Sequence, residues 1–327
     1  VAGPIERSKN LLVQVQSPKP FDYERVKNGL LLMLWGFFLK LVIADRVAIV
    51  VNTVYKDPAG HEGLALVLAT VFFGIQIYCD FASYSAIAIG SAQVLGFKLM
   101  ENFQQPYFSR SIGEFWRRWH ISLSTWFRDY LYIPLGGNRK GRLRTYCNVM
   151  IVFVISGLWH GASWTFLIWG FLHGAFQVIG QITRPGKHWL ADRLGIDREA
   201  ASYKAGQMLI TFVLVNFAWI FFRAPGLTGA MAVIRGIGAK WNPWIFSDGS
   251  LYALGLTQKS FWAGITAILI LVGVSVAQYN GIRIRQAFAR QGIVFRMIVS
   301  LGLIFAIIIF GIYGPGYSES QFIYFQF

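Results

Sequence analysis

Charge is what this sequence has least of. Only 14% of its 327 residues are Asp, Glu, Lys or Arg, and mean hydropathy is +0.49; an average soluble domain carries roughly 25% charged residues. So few charges cannot cover a water-facing surface of this size, which excludes an ordinary soluble globule and points to a membrane. Acid is scarcer still. Fifteen Asp and Glu stand against 30 Lys and Arg, for a formal net charge of +15. A basic excess also suits nucleic acid, but there is no helix-turn-helix pattern and no aromatic RNA-binding motif, so no nucleic-acid partner is expected. The basic residues gather instead in short loops between apolar runs, the pattern that orients membrane helices.

Cysteine is nearly absent. Cys79 and Cys147 lie far apart in apolar contexts, form no C-x-x-C and suggest no disulfide framework; each reads as a small buried hydrophobe. Familiar catalytic signatures are missing too. There is no H-x-x-x-H or H-E-x-x-H, so no metal site is expected. "GASWT" lacks the last glycine of a nucleophile elbow. "GGNRKGR" carries Arg142 where a phosphate-binding loop needs lysine, and no Ser or Thr follows. The chain starts at Val1 with no signal peptide, and "VAGPIERSKN" reads as an interior loop, so further membrane helices are expected upstream. No internal repeat or low-complexity tract is evident.

What is present is a series of apolar runs near the ~20 residues that span a bilayer. They lie at 29–52, interrupted by Lys40, Asp45 and Arg46; at 64–96, with Asp80 inside; as a pair filling 147–183, broken at "WHGAS"; and at 205–222, 260–279 and 297–313. "GAMAVIRGIGAKWNPW" reads as an interfacial helix with Trp241 and Trp244 at the headgroups. The expected fold is all-α: a polytopic transmembrane protein with re-entrant or broken helices around a central catalytic cavity. Three basic loops fix an orientation if all are cytoplasmic: one with Arg139, Lys140, Arg142 and Arg144, one with Arg184, Lys187, Arg193, Arg198 and Lys204, and one with Arg283, Arg285, Arg290 and Arg296. The C-terminus and residues 223–259 then face outward.

Histidines inside such runs call for a reason. His160 lies in "SGLWHGASWTFLIWGFLHG", with Gly157 and Gly161 to open the helix around it and Trp159 and Trp164 about the turn. The bland reading is a core histidine with a satisfied hydrogen bond. The sharper one starts from the cost of an ionisable group in a membrane and makes His160 a general base, since an unshifted imidazole titrates near ~6.5. His173 follows thirteen residues later, so even on an unbroken helix it would be turned about 220° away; it reads as a helix contact or a support. In "SIGEFWRRWHISLSTWFRDYLYIPLGGNR", helical spacing puts Trp116, Trp119, Leu123, Trp126 and Tyr130 on one face and Arg117, Ser124 and Arg128 on another, with His120 at the border. This is either an interfacial helix or one folded inward to line a polar passage. Asp80 reads as a structural ion-pair partner for Lys40, Arg110 or Arg117, or as a proton-relay residue.

"ENFQQPYFSRSIGEFWRRWHISLSTWFRDYLYIPLGGNR" followed by "SGLWHGASWTFLIWGFLHG" closely resembles the membrane-bound O-acyltransferases, in particular the bacterial branch that serves alginate O-acetylation and its relatives in peptidoglycan and cellulose acetylation and teichoic acid D-alanylation. "VAGPIERSK" and "FIYFQF" also resemble family features, so the resemblance spans 1–327 as one domain, without the helices that usually precede the "GPI" loop. The family's catalytic "WHG" histidine falls on His160 and its "RWHISLS" histidine on His120. "YCDFASYSAIAIG" resembles a stretch usually closer to "DFSGYSDIAIG"; here Ser83 replaces glycine and Ala86 replaces aspartate, while Asp80 is kept. The resemblance implies an enzyme of the bacterial inner membrane, in contact with membrane lipids. His160 removes the acceptor's hydroxyl proton. His120, with Arg117 and Arg128, orients substrate or steadies the oxyanion. Ser124, Asp80, His173 and Trp159 support them. It implies no tightly bound cofactor: the acyl thioester, acetyl-CoA or an acyl carrier protein, is a co-substrate. The implied partners are a polysaccharide acceptor and a separate extracytoplasmic acetyltransferase. Against this stand a transporter, which buried Asp80, Lys40 and Arg46 would suit equally, and a scaffold subunit of an export complex, which would tolerate loss of His160.

Overall fold

A computed structural model describes residues 3–313. The closing "FIYFQF", and with it the expected outward C-terminus, lies outside the described residues, as do Val1 and Ala2 of the opening segment. The fold is all-α: among the described residues there is no strand, only an isolated bridge between Phe103 and Trp119. Among the described residues, five helices are long and apolar enough to cross a membrane. The chain forms two compact units, one from residues 3–57, 63–102 and 241–313, the other from 58–62 and 103–240.

The first unit opens with α1 (Ser8–Val15) and α2 (Tyr23–Phe37), the latter capped by Asp22, whose carboxylate accepts from the Arg25 amide at 3.0 Å. The run continues as a π-helical turn, Phe38–Ala44, and then α3 (Asp45–Lys56). The π turn has a use. Residues five apart on an α-helix are turned about 140° from one another, whereas π register aligns i with i+5. Lys40 and Asp45 therefore meet, Nζ to Oδ1 at 3.0 Å. Lys40 also reaches Asp80 at 2.6 Å, on α4 (Leu64–Val94). Of the partners the sequence offered Asp80, Lys40 is the one it takes here. All three side chains are buried.

α4 packs along α2 at glycine distance. A Cβ on Gly29 would lie 2.7 Å from the Gly90 carbonyl oxygen, and one on Gly90 would lie 2.6 Å from that of Gly29. Small residues let two membrane helices approach this closely, where dispersion replaces the hydrophobic drive that lipid removes. Ser83, at the position of the family's glycine, is fully buried and donates to the Asp80 carbonyl at 2.6 Å. The unit is completed by α11 (Gln258–Tyr279), α12 (Ile284–Ala289) and α13 (Ile293–Phe310). α13 buries no residue, as a lipid-facing helix would. Buried Arg46 ties these late helices in: its guanidinium donates to the Val42 carbonyl at 3.2 Å, to the Ser260 carbonyl at 2.9 Å and hydroxyl at 3.0 Å, and to the Phe310 carbonyl.

The second unit holds α5 (Ile112–Arg118), α6 (Ile121–Phe127), α7 (Arg142–His160), α8 (Trp164–Arg193), α9 (Ala201–Arg223) and α10 (Gly226–Ile237). The expected single amphipathic helix through "FWRRWHISLSTWF" is broken. Ser111 caps α5 by accepting from the Glu114 amide at 3.2 Å, and the helix ends at Arg118; His120 then takes left-handed geometry, φ 43° and ψ 55°, before α6 starts. Trp119 and Leu123 are buried while Trp126 and Tyr130 are exposed, so they do not share one face. The break at "WHGAS" is as expected, with residues 161–163 linking α7 to α8. The α8 helix, however, runs ten residues beyond the apolar run, through Pro185 to Arg193: polarity ends the apolar run without ending the helix. The interfacial segment forms α10, followed by Trp241 and Trp244, 60% and 70% exposed.

Candidate active site

The site is built on the α7–α8 hairpin of the second unit. Its two helices touch through glycine: a Cβ on Gly157 would collide with the Phe166 carbonyl, and one on Gly170 with that of Phe153. That closeness sets the end of α7 against the start of α8. His160 is the last residue of α7, and Ser163 caps α8 by accepting from the Thr165 amide at 3.3 Å.

Around this hairpin two histidines, His160 and His173, share one aromatic cluster. Trp169 is its centre. Its ring lies 5.0 Å from that of His160, 5.0 Å from His173, 5.3 Å from Phe222 and 5.8 Å from Trp219. His160 is also edge-on to Phe222 at 5.1 Å and to Trp159 at 4.9 Å. The expectation that His173 turns away from His160 presupposed one continuous helix. The break at 161–163 removes that premise, and both rings contact Trp169.

His173 is fully buried, and its Nδ1 accepts from the Trp116 indole N–H at 3.2 Å. A neutral imidazole accepting at Nδ1 carries its proton on Nε2. That buried Nε2 has no hydrogen-bond partner among the described residues, nor has the indole nitrogen of Trp169. His120 is 1% exposed and lies close enough to His160 for its charge to be felt there. A non-glycine residue in left-handed geometry costs free energy and collects at functional positions. Of the three histidines, His160 alone is partly exposed.

The remaining sequence candidates are distributed as follows. Ser124 donates from its hydroxyl to the Trp119 carbonyl at 3.2 Å. Arg128 is turned to its neighbour Asp129, at 2.8 Å. Trp159 is 41% exposed beside His160. Arg117 lines a polar cleft of about 440 Å³ with Gln104, Gln105, Arg110, Glu114 and Arg118. Asp80 belongs to the charge network of the first unit. Among the described residues, no group of three or more His, Cys, Asp or Glu is placed to hold a metal.

The sequence profile of the membrane-bound O-acyltransferase family matches residues 1–186, more than half of the chain and the whole of α1–α7. The chain belongs to that family. Among curated acyltransferase relatives, "Probable alginate O-acetylase AlgI" of Pseudomonas putida is 38% identical over 283 residues, covering 86% of this chain and 54% of the relative. "Peptidoglycan O-acetyltransferase" of Helicobacter pylori is 38% identical over 243 residues, 72% of this chain and 44% of the relative. "Teichoic acid D-alanyltransferase" of Streptococcus thermophilus is 31% identical over 245 residues, 68% and 58%. The chain spans about half the length of the first of these relatives. With five helices long and apolar enough to span, it is a multi-pass membrane protein of this acyltransferase family.

Reading the sequence alone missed the wall of this candidate site. Trp169 sits four residues before His173 on the same helix face, which was a readable signal. Trp219 and Phe222 on α9 carried none, because in a run of apolar residues two more aromatics look like lipid-facing side chains.

Proposed function

We propose that the protein is a membrane-bound O-acyltransferase that takes an acyl group, acetyl by preference, from a cytoplasmic thioester for O-acetylation of an extracytoplasmic polysaccharide such as alginate. The observation that carries this reading is His160: a partly exposed imidazole at a helix break, in edge contact with a ring cluster whose other histidine, His173, is sealed. An accessible base held by rings suits proton removal from an incoming hydroxyl. The hydroxyl oxygen attacks the thioester carbonyl as His160 takes its proton. The tetrahedral intermediate collapses, the carbon–sulfur bond breaks, and the thiolate recovers the proton from His160. Acyl–oxygen is formed, acyl–sulfur is broken, and one proton passes from hydroxyl to sulfur. His120 orients the reactants, and His173 and Trp169 hold the ring of His160 in place. In the cell the acyl group is handed on to a separate extracytoplasmic acetyltransferase, and the protein sits in the bacterial inner membrane.

The test is acyl transfer by the full-length protein and its His160→Ala variant, each shown to insert and accumulate. A transporter or scaffold keeps its output when His160 is lost; the enzyme does not. The sidedness is tested with Arg142→Cys, Ile196→Cys, Ala287→Cys and Ser320→Cys in a background without Cys79 and Cys147. An impermeant thiol reagent applied to intact cells is expected to label only position 320. Labelling at 196 or 287 overturns the arrangement.

A further inference from the structure

The end of the first unit carries positive charge with no carboxylate to meet it. Residues 249–318 contain no Asp or Glu, and residues 260–313 contain no lysine. Arg283, Arg285, Arg290 and Arg296 stand in this stretch, around α12 and in the first turn of α13. Among the described residues none of the four is in an ion pair. Arg285 reaches only the Gln93 side-chain oxygen, at 3.5 Å, and the Nε of Arg296 is buried without a hydrogen-bond partner. By contrast, the basic loop after α8 balances part of its own charge: Arg198 pairs with Asp192 at 3.2 Å and Lys204 with Glu199 at 2.8 Å.

Where this segment is not basic, it is apolar. Ile282, Ile293, Val294 and Phe295 are half to two-thirds exposed. Ile284 and Phe288, one turn apart on α12, are half-buried, with the ring of Phe288 at 6.5 Å from that of Phe295. α13 has a mean hydropathy of 2.7 and buries no residue, so lipid sheathes it. Water suits the arginines but not these side chains, and hydrocarbon suits the side chains but not the arginines. The headgroup layer suits both.

Length fixes the depth. The 18 residues of α13 rise about 27 Å, against a hydrocarbon core of about 30 Å. So short a span draws the bilayer inward or sends its flanking side chains out to the interface. Arg296 lies three residues past Ile293, about 4.5 Å further in. Its guanidinium must therefore reach outward, and the phosphate layer is what it meets first. Arginine's planar fork matches two phosphate oxygens at once, which an ammonium does not. At the far end of α13 the Phe310 carbonyl accepts from buried Arg46. One end of the helix is held by protein; the other offers four guanidinium groups and no protein anion.

We infer that Arg283, Arg285, Arg290 and Arg296 form a binding site for the phosphates of anionic phospholipids, which pins the entry end of α13 at the membrane surface. The inference uses none of the residues in the acyl-transfer reading and stands or falls apart from it. A zwitterionic phospholipid offers the same phosphate with its charge cancelled, so the net charge of the lipid should decide occupancy. Each arginine near an anionic surface contributes about fivefold in binding.

The test uses the full-length protein, stripped of lipid in neutral detergent and titrated with dioleoylphosphatidylglycerol or dioleoylphosphatidylcholine, with binding read by native mass spectrometry. Phosphatidylglycerol should bind at least tenfold more tightly. The combined variant Arg283→Gln, Arg285→Gln, Arg290→Gln, Arg296→Gln should lose that preference. A control, Arg184→Gln, Lys187→Gln, Arg193→Gln, Arg198→Gln, removes as many charges from the end of α8 and its loop and should keep most of it. On the unaltered protein in nanodiscs, amide hydrogen exchange should slow in residues 281–298 when phosphatidylglycerol replaces phosphatidylcholine, which decides the matter should the variant fail to fold. Inorganic phosphate at millimolar concentration should not displace the lipid. Equal affinity for the two lipids would overturn the inference, as would a control that loses as much preference as the first variant or exchange in 281–298 that ignores the lipid. Displacement by inorganic phosphate would make the patch a site for a soluble anion and overturn it as well.

Discussion

The two units bury polarity in opposite ways. In the first, ions are met by ions or carbonyls: Lys40 lies between Asp45 and Asp80, and Arg46 spends its guanidinium on three backbone carbonyls and a hydroxyl. In the second, buried imidazoles and indoles pack ring against ring, and the Nε2 of His173 and the indole nitrogen of Trp169 keep capacity to spare. A charge in a low-dielectric interior is strongly unfavourable unless paired, so a closed ionic network is a device for holding helices together. A ring cluster holds its members by shape and leaves their nitrogens available. The closed ionic network accounts for architecture, and the unspent capacity beside His160 is what the proposed chemistry would use.

The largest effect should come from the second region. His160→Ala is expected to lower acyl transfer by about 10² to 10⁴-fold, the usual range for a general base, with thermal stability close to the parent's. His120→Ala should be damaging but leave more residual activity; the opposite ranking in a quantitative assay would exchange the two roles. Next comes the ionic network. Lys40→Met leaves two carboxylates buried without their cation and should cost about 3 to 5 kcal/mol in detergent unfolding. The triple variant Lys40→Met, Asp45→Leu, Asp80→Leu should recover most of it. A triple variant as damaged as the single would show that the network does more than hold α2, α3 and α4 together.

A smaller and sharper contrast uses the glycine contacts. Gly29→Ala and Gly157→Ala each force a methyl into a facing carbonyl, and overpacking of this kind costs about 1 to 3 kcal/mol. Only Gly157→Ala disturbs the hairpin that carries His160, so transfer per folded molecule should fall for it and hold for Gly29→Ala. Equal losses would mean that the two units are not separable in function. The smallest effect expected is that of Trp116→Phe, which keeps the ring packing and removes the donor to His173. It should cost about 1 kcal/mol, read as a melting point lowered by a few degrees, with a modest fall in kcat.

Much of this was legible because a bilayer imposes a simple rule on sequence. The apolar runs at 64–96, 205–222, 260–279 and 297–313 correspond to α4, α9, α11 and α13 within a few residues. The "WHGAS" break was legible because glycine, serine and an ionisable residue interrupt a span together. The break at His120 was not, because a 3.6-residue pattern runs straight through it and left-handed geometry leaves no trace when the residue is not glycine. The π turn at Phe38–Ala44 was hidden for a related reason: its sequence is ordinary, and only the pairing of Lys40 with Asp45 reveals the register. The cleft escaped notice because Gln104 and Gln105 come from an aperiodic segment, which a search by period passes over.

The long reach of Arg46 has a consequence for how the molecule is made. A ribosome adding about 5 to 20 residues per second needs roughly 13 to 53 s to cover the 264 residues between Arg46 and Phe310. The α7–α8 hairpin, with three residues between its helices, can close as soon as its second strand of helix leaves the translocon. The hairpin that carries His160 is thus an early product of synthesis, while the first unit stays open, with a guanidinium short of its last acceptor, until α13 arrives. Anything that stalls translation or insertion after α11 would leave an exposed arginine at membrane depth, a feature by which a quality-control protease could tell an unfinished chain from a finished one.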